Sequence, residues 1–124
     1  MRLRKNRIER LFHRAAIPKK DNEGNSYVEY GRPKPFLAET WPGGGKLQAQ
    51  MYGTRLSNIR NCRLRGRYEE LRDEAGRLVY RTPDGLAITV GDGICFYSGE
   101  YGEPDYKVVA IYPYHFLTLE AERI

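Results

Sequence analysis

Two cysteines, two histidines, two methionines and one tryptophan are all that these 124 residues hold of the rarer side chains. Cys62 and Cys95 stand far apart, and only His13 and His115 could join them as soft ligands. Neither a zinc knuckle nor a disulfide framework can be built with familiar spacing. Both cysteines read as buried or half-buried thiols, and no metal or cofactor is expected. No apolar run approaches the roughly 18 residues of a membrane span. The opening stretch, MRLRKNRIERLFHR, puts charge where a secretion signal needs apolar residues, so the product is expected to stay in the cytoplasm where it is made. Catalytic motifs are also wanting. Ser26, Ser57 and Ser98 lack nucleophile-elbow spacing, and Gly43-Gly44-Gly45-Lys46 lacks both the Walker spacing and the Ser or Thr that would place magnesium.

What is present is ordinary for one globular core, 40% hydrophobic and 30% charged, with the net charge of +5 unevenly spread. Residues 1–20 hold Arg2, Arg4, Lys5, Arg7, Arg10, Arg14, Lys19 and Lys20 against Glu9 alone, and read as a basic N-terminal arm preceding a domain over residues 21–124. A second run, Arg55, Arg60, Arg63, Arg65 and Arg67, contains no acid. Acids gather later at Glu69, Glu70, Asp73, Glu74, Glu100, Glu103 and Asp105. Separate blocks of both signs suit attraction to copies of the same chain, to an acidic partner or to DNA phosphates.

Residues 8–17 fit both an alternating and a helical pattern. Pro18 and the following Lys-Lys-Asp-Asn-Glu-Gly-Asn predict a turn, and Tyr27 to Tyr30 an extended segment. Thr54 is placed to cap one or two helical turns carrying Leu56 and Ile59. Strands are expected from Cys62 to Leu71 with a bend at Gly66, from Arg77 to Thr82, from Leu86 to Val90, from Ile94 to Tyr97, and on both sides of Pro113, separated by Gly, Pro and Asp turns. Six or seven short strands with one short helix predict an all-β, mainly antiparallel fold: a small β-barrel that must close or cover its edges.

The most informative stretch is Glu39 to Leu56, ETWPGGGKLQAQMYGTRL. Phe36, Ala38 and Thr40 alternate with Leu37, Glu39 and Trp41; Leu47, Ala49 and Met51 then alternate with Lys46, Gln48 and Gln50. The pattern predicts a long hairpin tipped by Gly43, Gly44 and Gly45. Because a strand is expected to follow, no helix N-terminus is expected there to hold an anion. Ordering three glycines costs entropy, so such a tip is expected to order against something else.

Ten tyrosines lie in nearly every predicted strand. With the basic run Arg55 to Arg67 they raise the alternative of a small nucleic-acid-binding barrel, although evenly spread tyrosines more often cap cores and subunit contacts. A hydrolytic reading requires His115 to sit beside a buried carboxylate in a cleft.

Four stretches in this order, Asn25-Ser-Tyr-Val-Glu-Tyr, Ala38-Glu-Thr-Trp-Pro-Gly-Gly-Gly-Lys-Leu-Gln-Ala-Gln-Met-Tyr-Gly, Gly91-Asp-Gly-Ile and Asp105-Tyr-Lys-Val-Val-Ala-Ile-Tyr, give a resemblance to a known family. From about residue 20 to its end the chain resembles the head-closure proteins of long-tailed bacteriophages, also called head-to-tail joining proteins or stoppers. The resemblance implies a non-enzymatic β-barrel subunit in the virion. It would form a homo-oligomeric ring, commonly twelve-fold, beneath the portal and its adaptor, with a tail protein docking on the opposite surface. A loop projecting into the lumen closes the channel after packaging and moves aside for ejection. By position, Trp41, Pro42, Gly43, Gly44, Gly45, Lys46 and Leu47 match that loop, with Trp41 and Leu47 seating its base and Lys46 facing DNA, which would be contacted without sequence specificity. Arg55, Arg60, Arg63, Arg65 and Arg67 are candidate phosphate or partner contacts. A neighbouring adaptor or tail-terminator ring subunit is the alternative within this setting. The basic start departs from the family pattern, leaving open whether it meets an adaptor, a neighbour or DNA.

Overall fold

The structure, a computed structural model, describes residues 8–124. They form β1 (Ile8–Arg14), β2 (Ala16–Lys20), β3 (Ser26–Tyr30), β4 (Lys34–Pro42), α1 (Lys46–Tyr52), a 3-10 helix (Gly53–Asn58), β5 (Ile59–Leu64), β6 (Glu69–Arg72), β7 (Leu78–Arg81), β8 (Ala87–Ile88), β9 (Gly93–Cys95), β10 (Tyr106–Pro113) and β11 (Leu117–Arg123). Six strands close an antiparallel barrel in the order β1-β4-β5-β11-β10-β9, with β9 returning to β1 through Phe12 opposite Cys95. The all-β barrel is therefore as the residues predict. Two accessory sheets, β2-β3 and β6-β7-β8, account for more strands than expected.

The barrel is filled by alternate residues of its strands: Leu11, Phe36 and Ala38, Cys62 and Leu64, Ile94, Val108, then Leu117, Leu119 and Ala121. Each large aliphatic side chain removed from water there contributes about 1.5–3 kcal/mol. Closure gives β1 partners on both sides, β4 along residues 8–13 and β9 at residues 12–14.

The boundary expected at residue 20 is corrected. Residues 8–14 are a barrel strand and residues 16–20 pair with β3, so the described part of the basic segment belongs to the folded domain. Leu11 and His13 are buried at a spacing of two, and this period decides between the strand and helix readings. Residues 1–7 lie outside the described residues. Pro18 is also not in the turn but in β2, opposite Val28 on a two-stranded sheet, where its missing N–H is tolerated. The turn forms one step later, where Asp21 Oδ1 accepts from the N–H groups of Glu23 and Asn25 at 2.9 and 2.8 Å.

Two polar side chains, one buried and one half-buried, tie the connections to the wall. Asp92, 2% exposed, accepts from Ala16 N at 3.0 Å, from Thr89 N at 3.0 Å and from His13 Nε2 at 2.7 Å. Arg14 donates to the carbonyls of Gly31, Tyr30 and Gly102 at 2.7, 3.3 and 2.9 Å. Both histidines are thereby placed. His13 is structural and inside, whereas His115 is exposed with its ring edge-on to Phe116. No helix among the described residues is long and apolar enough to cross a membrane.

Candidate functional site

The connection between the adjacent barrel strands β4 and β5 is the largest departure from regular sheet. It begins with a close approach. Gly43 N donates to Ile59 O at 2.8 Å, and a Cβ at Gly43 would lie 2.9 Å from that of Ile59, so only glycine fits. Gly44 and Gly45 face open space, and Gly45 holds φ at +85°.

The expected second strand of the hairpin is absent, and α1 takes its place. Leu47, Ala49 and Met51 lie on a helix whose side chains are none of them buried, closed by Gly53 at φ +57°, a positive value that favours glycine. A strand running out from β5 at this point would have no neighbour to pair with, whereas a helix satisfies its own backbone; Lys, Leu, Gln, Ala and Met are also good helix formers. A helix start therefore does follow the glycines, contrary to expectation. Gly44 N is instead taken by Gln48 Oε1 at 3.0 Å.

A buried glutamate holds this helix to the barrel. Glu120 of β11, 4% exposed, accepts from Tyr52 Oη at 2.6 Å and Tyr112 Oη at 2.8 Å through Oε1, and from Gln48 Nε2 at 2.5 Å through Oε2. Gln48 Nε2 also donates to Asn61 Oδ1 at 2.7 Å, and Asn61 Nδ2 reaches Pro42 O at 3.3 Å. One network thus joins α1, the end of β4, β5 and β11. The expectation that Leu47 seats the base of the loop is corrected: Leu47 is 71% exposed, and Met51, one turn on, is exposed as well. Trp41 is half-buried, with the Arg63 guanidinium 4.9 Å above its ring. Lys46 is exposed at the start of α1.

The five arginines of the second run have three different fates. Arg55 makes a two-pronged contact with Glu122 at 2.7 and 2.5 Å, which holds the Glu122 carboxyl below its ordinary range. Arg60 lies over Phe96 at 5.5 Å, and Arg63 covers Trp41. Arg65 and Arg67 flank Gly66 at the exposed bend after β5, between two surface grooves of about 700 and 880 Å³. The run is therefore not a single phosphate-facing strip.

Burial, reinforced by donation to Glu120, raises the phenols of Tyr52 and Tyr112, the latter to about 12. Because the folded pKa exceeds the unfolded value near 10, their contribution to stability is complete below pH 10 and is lost as the pH climbs towards 12. The denaturant midpoint is expected to fall across that window in step with tyrosinate absorbance, and Tyr112→Phe should remove part of the pH dependence. Burial also raises the Cys62 thiol far above its usual range, leaving it inert.

Sequence reasoning missed Glu120, Tyr52, Gln48 and Asn61. No local signal marks Glu120, since an acid between the inward-facing Leu119 and Ala121 reads as an ordinary outward position. Among the described residues no cluster of His, Cys, Asp and Glu could hold a metal ion, and the buried carboxylate that a hydrolytic role would need beside His115 is instead Asp92, beside His13. Comparison with protein-family models, curated proteins and solved structures finds no match to this chain.

Proposed function

We propose that this chain is a non-enzymatic subunit of a phage head-to-tail connector. In this reading, copies form a ring below the portal or its adaptor, the β4–β5 connection faces the DNA channel, and the opposite surface receives the tail. The observation that carries the reading is the latched helix with Leu47 and Met51 left in water. Seven residues are too few to hold a helix alone, so α1 depends on Gln48 and Tyr52 reaching Glu120. A subunit that spends a buried carboxylate on supporting a helix with no buried side chain is presenting that helix to something else.

Symmetry supplies the partner. Around a common axis each helix meets its own copies, and apolar contacts too weak singly become adequate when repeated. Lys46, repeated in the same way, gives the passage a positive collar. Opening such a gate requires breaking a few side-chain hydrogen bonds at roughly 1 kcal/mol each, within reach of an ejection signal. The phage setting rests on the sequence resemblance described above. The nucleic-acid-binding alternative loses support from the engagement of Arg55, Arg60 and Arg63 with the protein's own side chains.

The test is a phage carrying Leu47→Asp with Met51→Asp. Both positions are exposed, so the isolated subunit should keep its stability within about 0.5 kcal/mol. Particles are expected to leak DNA or to fail to acquire tails. DNA-filled, infectious virions in normal yield would refute the proposal.

A further inference from the structure

The β9–β10 connection presents a tyrosine that nothing in the subunit covers. Tyr101 is 94% exposed, with Glu100 and Glu103 exposed beside it. The loop is nevertheless fixed. Asp105 accepts from the N–H groups of Phe96 and Tyr97, each at 2.8 Å, and Arg14 reaches across to Gly102 O at 2.9 Å. A Cβ at Gly102 would lie 2.5 Å from Ser98 O, so the chain folds back closely upon itself. A preorganised loop holding an aromatic ring in water loses little entropy when that ring is buried against a partner.

The complementary surface lies elsewhere on the same chain. The groove of about 700 Å³ between β1, β4 and the turn before β8 is walled by the exposed Pro35, Leu37 and Pro83, with the buried Leu64 and Leu86 beneath and Arg65 and Arg67 on one side. Leu37 is largely exposed, and neither arginine has a carboxylate partner among the described residues. Residues 96–105 line neither this groove nor the one on the other side of the bend.

We propose that the Glu100-Tyr101-Gly102-Glu103 loop of one copy docks in the Arg65/Arg67 groove of the next, Tyr101 meeting the apolar wall and the two acids meeting the two arginines. Loop and groove are different patches, so the contact is head-to-tail: it propagates around an axis and forms a ring where the rotation closes. A single loop buries well under the roughly 800 Å² per partner of a stable pair, so each contact is weak and closure supplies the strength. The apolar lining favours an aromatic loop over a phosphate backbone, which gains nothing from an apolar wall. The inference extends the ring reading by naming the surfaces that join neighbours, and it is tested apart from the phage.

The full-length chain is examined by sedimentation over a concentration series, with circular dichroism to confirm the fold of each variant. Wild type is expected to self-associate. Arg65→Glu with Arg67→Glu, and separately Glu100→Arg with Glu103→Arg, should each raise the concentration for half-association at least about tenfold, since attraction becomes repulsion. Tyr101→Ser should weaken it too. An equimolar mixture of the two charge-reversed chains restores complementarity at every contact and should associate like wild type. A wild-type chain that stays monomeric to ~1 mM, the weak end of specific binding, overturns the contact; so does a mixture that fails to recover. If Arg65→Glu with Arg67→Glu abolishes binding to duplex DNA and leaves association unchanged, the groove faces phosphate and the contact is likewise overturned. Failure of the connector reading would show in particles instead, through the Leu47 and Met51 variant.

Discussion

Asp92→Ala is expected to cost the fold about 4 kcal/mol and to lower the melting temperature by about 15 °C. The carboxylate is buried and serves three donors, the buried His13 and the backbone N–H groups of Ala16 and Thr89, which all lose their acceptor. Each stranded donor carries a penalty of about 1–3 kcal/mol. Asp92→Asn should also destabilise, by a smaller amount, because the amide keeps one accepting oxygen but turns its NH2 group towards a donor. The loss should appear in global unfolding, since Asp92 joins the end of β1 to the turn before β9 and its own backbone pairs with Val108 of β10. A melting temperature within a few degrees of wild type would mean that these three contacts are not made in solution.

Glu120→Ala should act locally. Tyr52, Tyr112 and Gln48 lose their common acceptor, but they stand near the surface and water can reach them, so the expected cost is about 2–3 kcal/mol. Most of it should fall on α1. Amide hydrogen exchange across residues 46–58 is expected to rise towards that of an open segment while β10 and β11 keep most of their protection. Glu120→Gln, retaining one acceptor for the two phenols, should show roughly half the effect. Unchanged exchange in α1 would remove the latch from the account.

The barrel was legible because its strands advertise their period. Leu117 and Leu119 fall inward on β11 as their alternation predicts, with turns rich in Gly, Pro and Asp between strands; on β10 the alternation points to Val109 and Ile111, but a register shift between Val108 and Ala110 buries Val108 instead of Val109. The helix was hidden by a coincidence: KLQAQMY alternates apolar and polar residues like a strand, while its composition is that of a helix. Composition won because β4 already pairs with β1 and β5, and a helix satisfies its own backbone. β1 was obscured by Arg10 and Arg14 on a strand whose inward positions include His13, a residue that reads as surface until Asp92 is placed beside it. The latch was not legible at all, since Glu120 meets partners 68 and 72 positions away, Tyr52 and Gln48, and only the closed barrel brings them together.

The central claim is that α1 faces its own copies around a common passage, and cross-linking at its exposed face tests this most directly. Leu47 is open to solvent, and the native thiols, Cys62 and Cys95, are buried and will not compete. In phage particles assembled with Leu47→Cys, oxidation is expected to join chains to one another through position 47, whereas the isolated subunit at low concentration should remain uncross-linked. Particles that contain the chain but give no such cross-link, or particles from which it is missing, would contradict the account.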